Sequence, residues 1–346
     1  MQIAHFHITT ELLSSDSNPF PGQPELPTEI ISPSGSSQAL DLAQLQPGSS
    51  SPIFGVSDVI ALVGMAFGAI FLAAVVALVI AAFLPANRGR SLAQIGLDPK
   101  LNIIATAGAY VLLVPAMALM IRLRYRRPFF DALSWRWPRR AVLFVMIGVL
   151  TGFTIPLLSR LLPMPKTMPI DRMFNDSTSA WMMTVFGIFC APLVEELFFR
   201  GFLYPVLTRW KALFVVAIAA VLFGIGALLF SLLRQNHTEF WIGLSAVVSA
   251  GCIASLWLFS AASRRVATAV SIVVTSLLFA SIHSQQLAHA WAPVLVIFVV
   301  GLILTIIRAR SGSLAASVLA HMGYNGTLFT ILYFATDHFR HLEKMQ

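Results

Sequence analysis

From about residue 57 onward the chain is a succession of long apolar runs, separated by short polar or proline-containing breaks. A run that stays apolar for about 18 residues or more is expected to form a helix that crosses a bilayer. The pattern predicts nine such helices. The first four cover 58–84, 101–121, 141–162 and 180–207. A pair follows at 212–233 and 240–262, and then 266–286, 291–307 and 313–334. The expected fold class is therefore all-α, a polytopic transmembrane helical bundle. Residues 1–56 differ: they are Ser/Pro-rich, contain no Lys or Arg, and show no sustained period. They are expected to be disordered, and they lack the basic start of a secretory signal. His5 and His7 in that tail are assigned no ligand role.

The organisation that follows is a tail at 1–56, N-terminal membrane helices with a connecting segment at 57–178, a motif-bearing membrane core at 179–335 and a short tail at 336–346. The connecting segment, PMPKTMPIDRMFNDSTS, precedes the fourth helix and is gate-like in composition.

Composition agrees with the pattern. The chain is 57% hydrophobic and 11% charged, whereas a soluble domain is about a quarter charged. A net charge of +8 raises nucleic acid as a partner. The basic residues fall between spans, however, thirteen on the side of the first residue and nine on the other. That bias predicts a cytoplasmic N-terminus and contact with anionic headgroups rather than nucleic acid. Cys190 and Cys252 both lie in apolar runs and are expected to be buried small hydrophobes, with no disulfide framework.

Charge inside the apolar runs is the informative exception. The segment APLVEELFFRG places Glu195, Glu196 and Arg200 within one predicted span. A charge near the bilayer centre costs roughly 2.5–3.5 kcal/mol. An ion pair between Glu196 and Arg200, four residues apart on one helix face, explains two of the three. Glu195, about 100° away round the helix, has no local partner. Polar residues recur at His283 in FASIH and at His321 and Asn325 in LAHMGYN. At about 1.5 Å per residue, Glu195 and Asn325 lie roughly 18 Å from the predicted cytoplasmic ends of their helices. By the same rise His321 lies roughly 12 Å in and His283 roughly 25 Å. All four can meet in one buried polar cavity opening toward the cytoplasm.

Such a cavity holds the parts for attack by activated water on an amide. An acid in an apolar site is pushed toward the range of a general base. An imidazole can share the orientation of the water, and an amide with a second imidazole can stabilise an oxyanion. HExxH is absent, but Glu195, His283 and His321 could also form a three-ligand zinc site. Both a zinc-dependent and a metal-free route stay open.

At these residues the chain resembles the CPBP family, the CAAX prenyl proteases and bacteriocin-processing and self-immunity proteins. The family pattern is EExxxR, then FxxxH, then HxxxN, matched by Glu195, Glu196 and Arg200, by Phe279 and His283, and by His321 and Asn325. The resemblance covers about 180–330. It implies an intramembrane endopeptidase acting on a membrane-associated protein or peptide. In that role Glu195 and His283 activate water while His321 and Asn325 stabilise the oxyanion. The 79 positions between Arg200 and Phe279 exceed the family's usual connection and suggest a helix pair inserted at 212–262. Two other function classes fit the same charges: a non-catalytic scaffold or immunity-type protein on this fold, and an ion-coupled transporter.

Overall fold

A computed structural model describes residues 54–209 and 264–342. Seven long helices organise them: α1 (Val56–Phe83), α2 (Pro99–Tyr125), α3 (Ala141–Ser159), α4 (177–207), α5 (Arg264–His283), α6 (Trp291–Ser311) and α7 (Leu314–Ala335). Among the described residues α1, α2, α3, α4 and α6 are long and apolar enough to cross a membrane. α5 and α7 occupy positions expected of spans but are not among those five; α7 is diluted by Ser317, His321, Tyr324, Asn325 and Thr327. The expected pair at 212–233 and 240–262 lies outside the described residues.

Local chemistry sets the helix ends. Asp98 caps α2 by accepting the Lys100 N–H at 3.0 Å, with Pro99 at the first helical position. Asp176 accepts from the N–H groups of Thr178 and Ser179 at the start of α4. α6 stops at Gly312, whose φ of 64° is the left-handed conformation that favours glycine at a C-terminus. Ser313 then caps α7 through the Ala316 N–H.

Three helix pairs build the bundle: α1 with α2, α5 with α6, and α3 with α7, the last running parallel, with Gly148 against Ala320 and Gly152 against Thr327. α4 and α6 are the most deeply buried of the spanning helices. α1 and α3 turn Phe67, Phe71, Phe83, Val142, Leu150 and Phe153 outward. In water these would be a liability; in a bilayer they are the expected lipid face. The α3–α7 pair is the tightest. A methyl added at Gly148 would lie 2.0 Å from the Ala320 carbonyl oxygen, and one at Gly323 would lie 2.5 Å from that of Val145. Gly152, one turn on from Gly148, is closed in by Thr327. Small residues at four-residue spacing allow this backbone approach.

Phe54, just before α1, is buried and stacks on Phe202 of α4 at 4.2 Å between ring centroids. Asp58, fully buried, clamps the start of α1 to the end of α2: Arg124 pairs with it at 3.1 Å and the Tyr125 hydroxyl donates to it. The segment before α4 contains a 3-10 turn, Pro169–Phe174, and the Ile170 N–H donates to Gln286 O in the turn that follows α5. After α7 the chain folds back, and Phe339 is buried against Phe174, Trp181 and Tyr333.

Cys190 departs from the expectation of burial. It is exposed on α4, beside the exposed Phe189. Hydropathy cannot separate an outward position on a membrane helix from an inward one, since both are apolar. Cys252 lies outside the described residues.

Candidate active site

α4 is not a uniform α-helix. Two π-turns, Phe186–Cys190 and Leu197–Leu203, flank one short α segment, Ala191–Glu196. Glu195 and Glu196 end that segment. π-turns are uncommon and concentrate at functional sites.

The two adjacent carboxylates have different surroundings. Glu196 is fully buried, and its Oε1 accepts from Arg200 Nη1 at 2.7 Å. Arg200 is equally buried and spends its other donors on α6: Nη2 on Gly301 O at 3.0 Å and Nε on Thr305 Oγ1 at 3.2 Å. The Phe279 ring lies 4.5 Å from its guanidinium carbon, a cation–π contact. The guanidinium is thus held from three helices. Glu195, by contrast, retains a 15% exposed side chain and faces two imidazoles.

His283 is the last residue of α5. Its Nδ1 lies 2.7 Å from Phe279 O. A carbonyl can only accept, so Nδ1 carries the proton there, and in the neutral ring Nε2 is left as a lone pair. That Nε2 lies 3.7 Å from Glu195 Oε1. His321, on α7, repeats the arrangement. Its Nδ1 lies 3.0 Å from Glu196 Oε1 and its Nε2 lies 3.9 Å from Glu195 Oε2. Both rings therefore turn Nε2 toward Glu195, with Nδ1 anchored behind. Asn325, one turn further along α7, directs its amide nitrogen to Gly187 O in the first π-turn at 2.7 Å.

Six sequence-selected residues, Glu195, Glu196, Arg200, His283, His321 and Asn325, thus come from three helices to one region. Asn325 meets α4 through Gly187 rather than through the carboxylates. Sequence reasoning missed Gly301 and Thr305 as the seat of Arg200. The signal was a glycine and a threonine one turn apart in an apolar helix. It also missed Tyr110 of α2, which stacks on Phe186 of the first π-turn at 5.4 Å between centroids. An aromatic in an apolar run carries no mark that distinguishes it from a core residue.

Glu195, His283 and His321 have the donor chemistry of a zinc site, and each ring is braced at its second nitrogen as metal-ligating imidazoles usually are. Among the described residues, however, no group of three His, Cys, Asp or Glu side chains is arranged to hold a metal ion. As they stand these side chains do not enclose zinc.

Residues 177–260 and 252–327 match the model of a family described as Type II CAAX prenyl endopeptidase Rce1-like. This part of the chain is Rce1-like. The Rce1-like match is consistent with a CPBP-family intramembrane protease. Its first stretch contains Glu195, Glu196 and Arg200; its second contains His283, His321 and Asn325. No curated protein and no solved structure matches the chain. The apolar helices support a multi-pass membrane protein, and the Rce1-like match supports the protease class, a class that implies a membrane-associated substrate.

Proposed function

We propose that the protein is an intramembrane endopeptidase in which Glu195 is the general base. The observation that carries this reading is the position of Glu195 between two Nε2 atoms, at 3.7 and 3.9 Å. Those distances are too long for direct hydrogen bonds and suit polar groups that share a water. Glu196, already neutralised by Arg200 and His321, braces the site instead of reacting.

In the proposed reaction Glu195 accepts a proton from water as its oxygen attacks the peptide carbonyl carbon. His283, braced by Phe279 O, orients that water through Nε2. The carbonyl π pair moves to oxygen and forms a tetrahedral oxyanion. His321 in its imidazolium form, supported at Nδ1 by Glu196, donates Nε2–H to that oxyanion. Asn325 contributes the amide N–H not engaged by Gly187. As the C–N bond breaks, the oxyanion pair re-forms the carbonyl, and the Glu195 proton passes to the leaving nitrogen. The products are a carboxylate-terminated and an amine-terminated fragment. Entry of substrate and water from the cytoplasmic side is part of the same proposal.

The decisive experiment compares membrane proteomes of cells carrying the wild type and the Glu195→Ala variant. Fragments that vanish in the Glu195→Ala variant are the expected result. Normal fragment yield from Glu195→Ala protein would refute the assignment. Chelation in the same assay, with zinc added back, separates a metal-dependent route from a metal-free one.

A further inference from the structure

The motif helix contains one construction twice. At the first π-turn the Ala191 N–H donates to Phe186 O, five residues back. In that register the next carbonyl, Gly187 O, would be met by the N–H of residue 192, which is a proline and has none. At the second π-turn the Tyr204 N–H donates to Phe199 O. The next carbonyl there, Arg200 O, faces residue 205, again a proline. Gly187 and Arg200 are both buried, and a buried carbonyl without a donor is costly.

Each orphaned carbonyl is met by a side chain from another helix. Asn325 of α7 donates Nδ2–H to Gly187 O at 2.7 Å. Arg308 of α6, itself buried, donates Nε–H to Arg200 O at 3.2 Å. The two acidic residues lie between these points. Adjacent helical residues are about 100° apart, so a one-residue slip of register would bring Glu196 to the direction Glu195 now takes.

We propose that Asn325 and Arg308 are positioning residues that replace the two backbone donors missing at Pro192 and Pro205, and so lock the register that aims Glu195 at His283 and His321. The activity readout of this proposal rests on the general-base reading of Glu195; the stability readout does not.

Restoring a backbone N–H supplies the test. Asn325→Ala and Arg308→Met remove the side-chain donors, and Pro192→Ala and Pro205→Ala return the main-chain ones. Thermal unfolding is measured in detergent without substrate, together with the yield of the Glu195-dependent fragment. Each donor removal is expected to lower the unfolding temperature by several degrees. Arg308→Met is expected to lower fragment yield at least tenfold and to move the pH–rate profile. Recovery of the unfolding temperature is expected only in matched pairs, Pro192→Ala with Asn325→Ala and Pro205→Ala with Arg308→Met. Unchanged unfolding temperatures in both donor-removed variants would overturn the proposal. So would equal recovery in mismatched pairs, or no recovery in either matched pair.

If a proline variant fails to fold, Asn325→Asp takes its place. An Asp carboxyl donates only when protonated, so the substrate-free unfolding temperature of that variant, relative to wild type, should rise as pH falls. A pH-independent difference would refute the plug at Gly187. Loss of fragment in Glu195→Ala protein with a normal unfolding temperature keeps the catalytic reading and this one separately testable.

Discussion

At the residue scale the pair Glu195–Glu196 occupies two environments that the sequence writes as identical letters. Their neighbours separate them: Arg200 and His321 Nδ1 for Glu196, and two Nε2 atoms for Glu195. Glu195→Gln keeps the volume and removes the proposed base. It should lower the rate of fragment formation by about 10²–10⁴-fold and leave helical circular dichroism unchanged. Arg200→Met should behave differently, because it leaves Glu196 buried without its cation. Breaking a buried pair this way costs about 3–5 kcal/mol, so that variant should lose stability together with activity in a detergent unfolding experiment. The special character of Glu195 was legible in the sequence, since Arg200 is four residues from Glu196 and cannot serve both. The brace behind each imidazole was not legible. Phe279 O belongs to the backbone, and Glu196 lies 125 positions from His321.

At the scale of elements, periodicity located the helices but not their interruptions. The π-turns at 186–190 and 197–203 follow from how donors and acceptors pair around Pro192 and Pro205, and apolar runs do not encode that. The α3–α7 contact was also invisible, because glycine in a membrane helix is common whether or not it touches anything. Gly148→Ala tests its weight. With the Ala320 oxygen 2.0 Å from the new methyl, the two backbones must separate. Overpacking of this kind costs about 1–3 kcal/mol, and since α7 carries His321, the unfolding temperature and fragment yield should fall together. The cap of α4 gives a pH test. Partial burial would raise the Asp176 carboxyl, but the Ser179 N–H and hydroxyl and the Lys100 ammonium hold it below its ordinary value. A carboxyl lowered by folding stabilises the native state above its unfolded pKa of about 3.9, and that contribution disappears as pH falls through the lower folded value. Asp176→Ala should therefore reduce the unfolding temperature near neutrality, and the deficit should close in strong acid.

At the scale of the whole molecule, the class was legible from low charge and long apolar runs, because a bilayer leaves the chain few alternatives. Sidedness rests on the basic loop between α2 and α3. Arg126, Arg127, Arg139 and Arg140 are exposed there beside exposed Phe130 and Trp137, the mixture expected at a headgroup layer. On a background without the native cysteines, Arg126→Cys should react with an impermeant maleimide only after the cytoplasmic face is opened; labelling of intact cells would reverse the topology. Because His283 closes α5 instead of standing inside it, its place depends on the turn that follows, which Ile170 fastens through Gln286 O. A peptide tag spliced after Gln286 should therefore yield a protein that inserts and accumulates normally yet cuts nothing. Engineers who need a silent docking point for a reporter should avoid that turn.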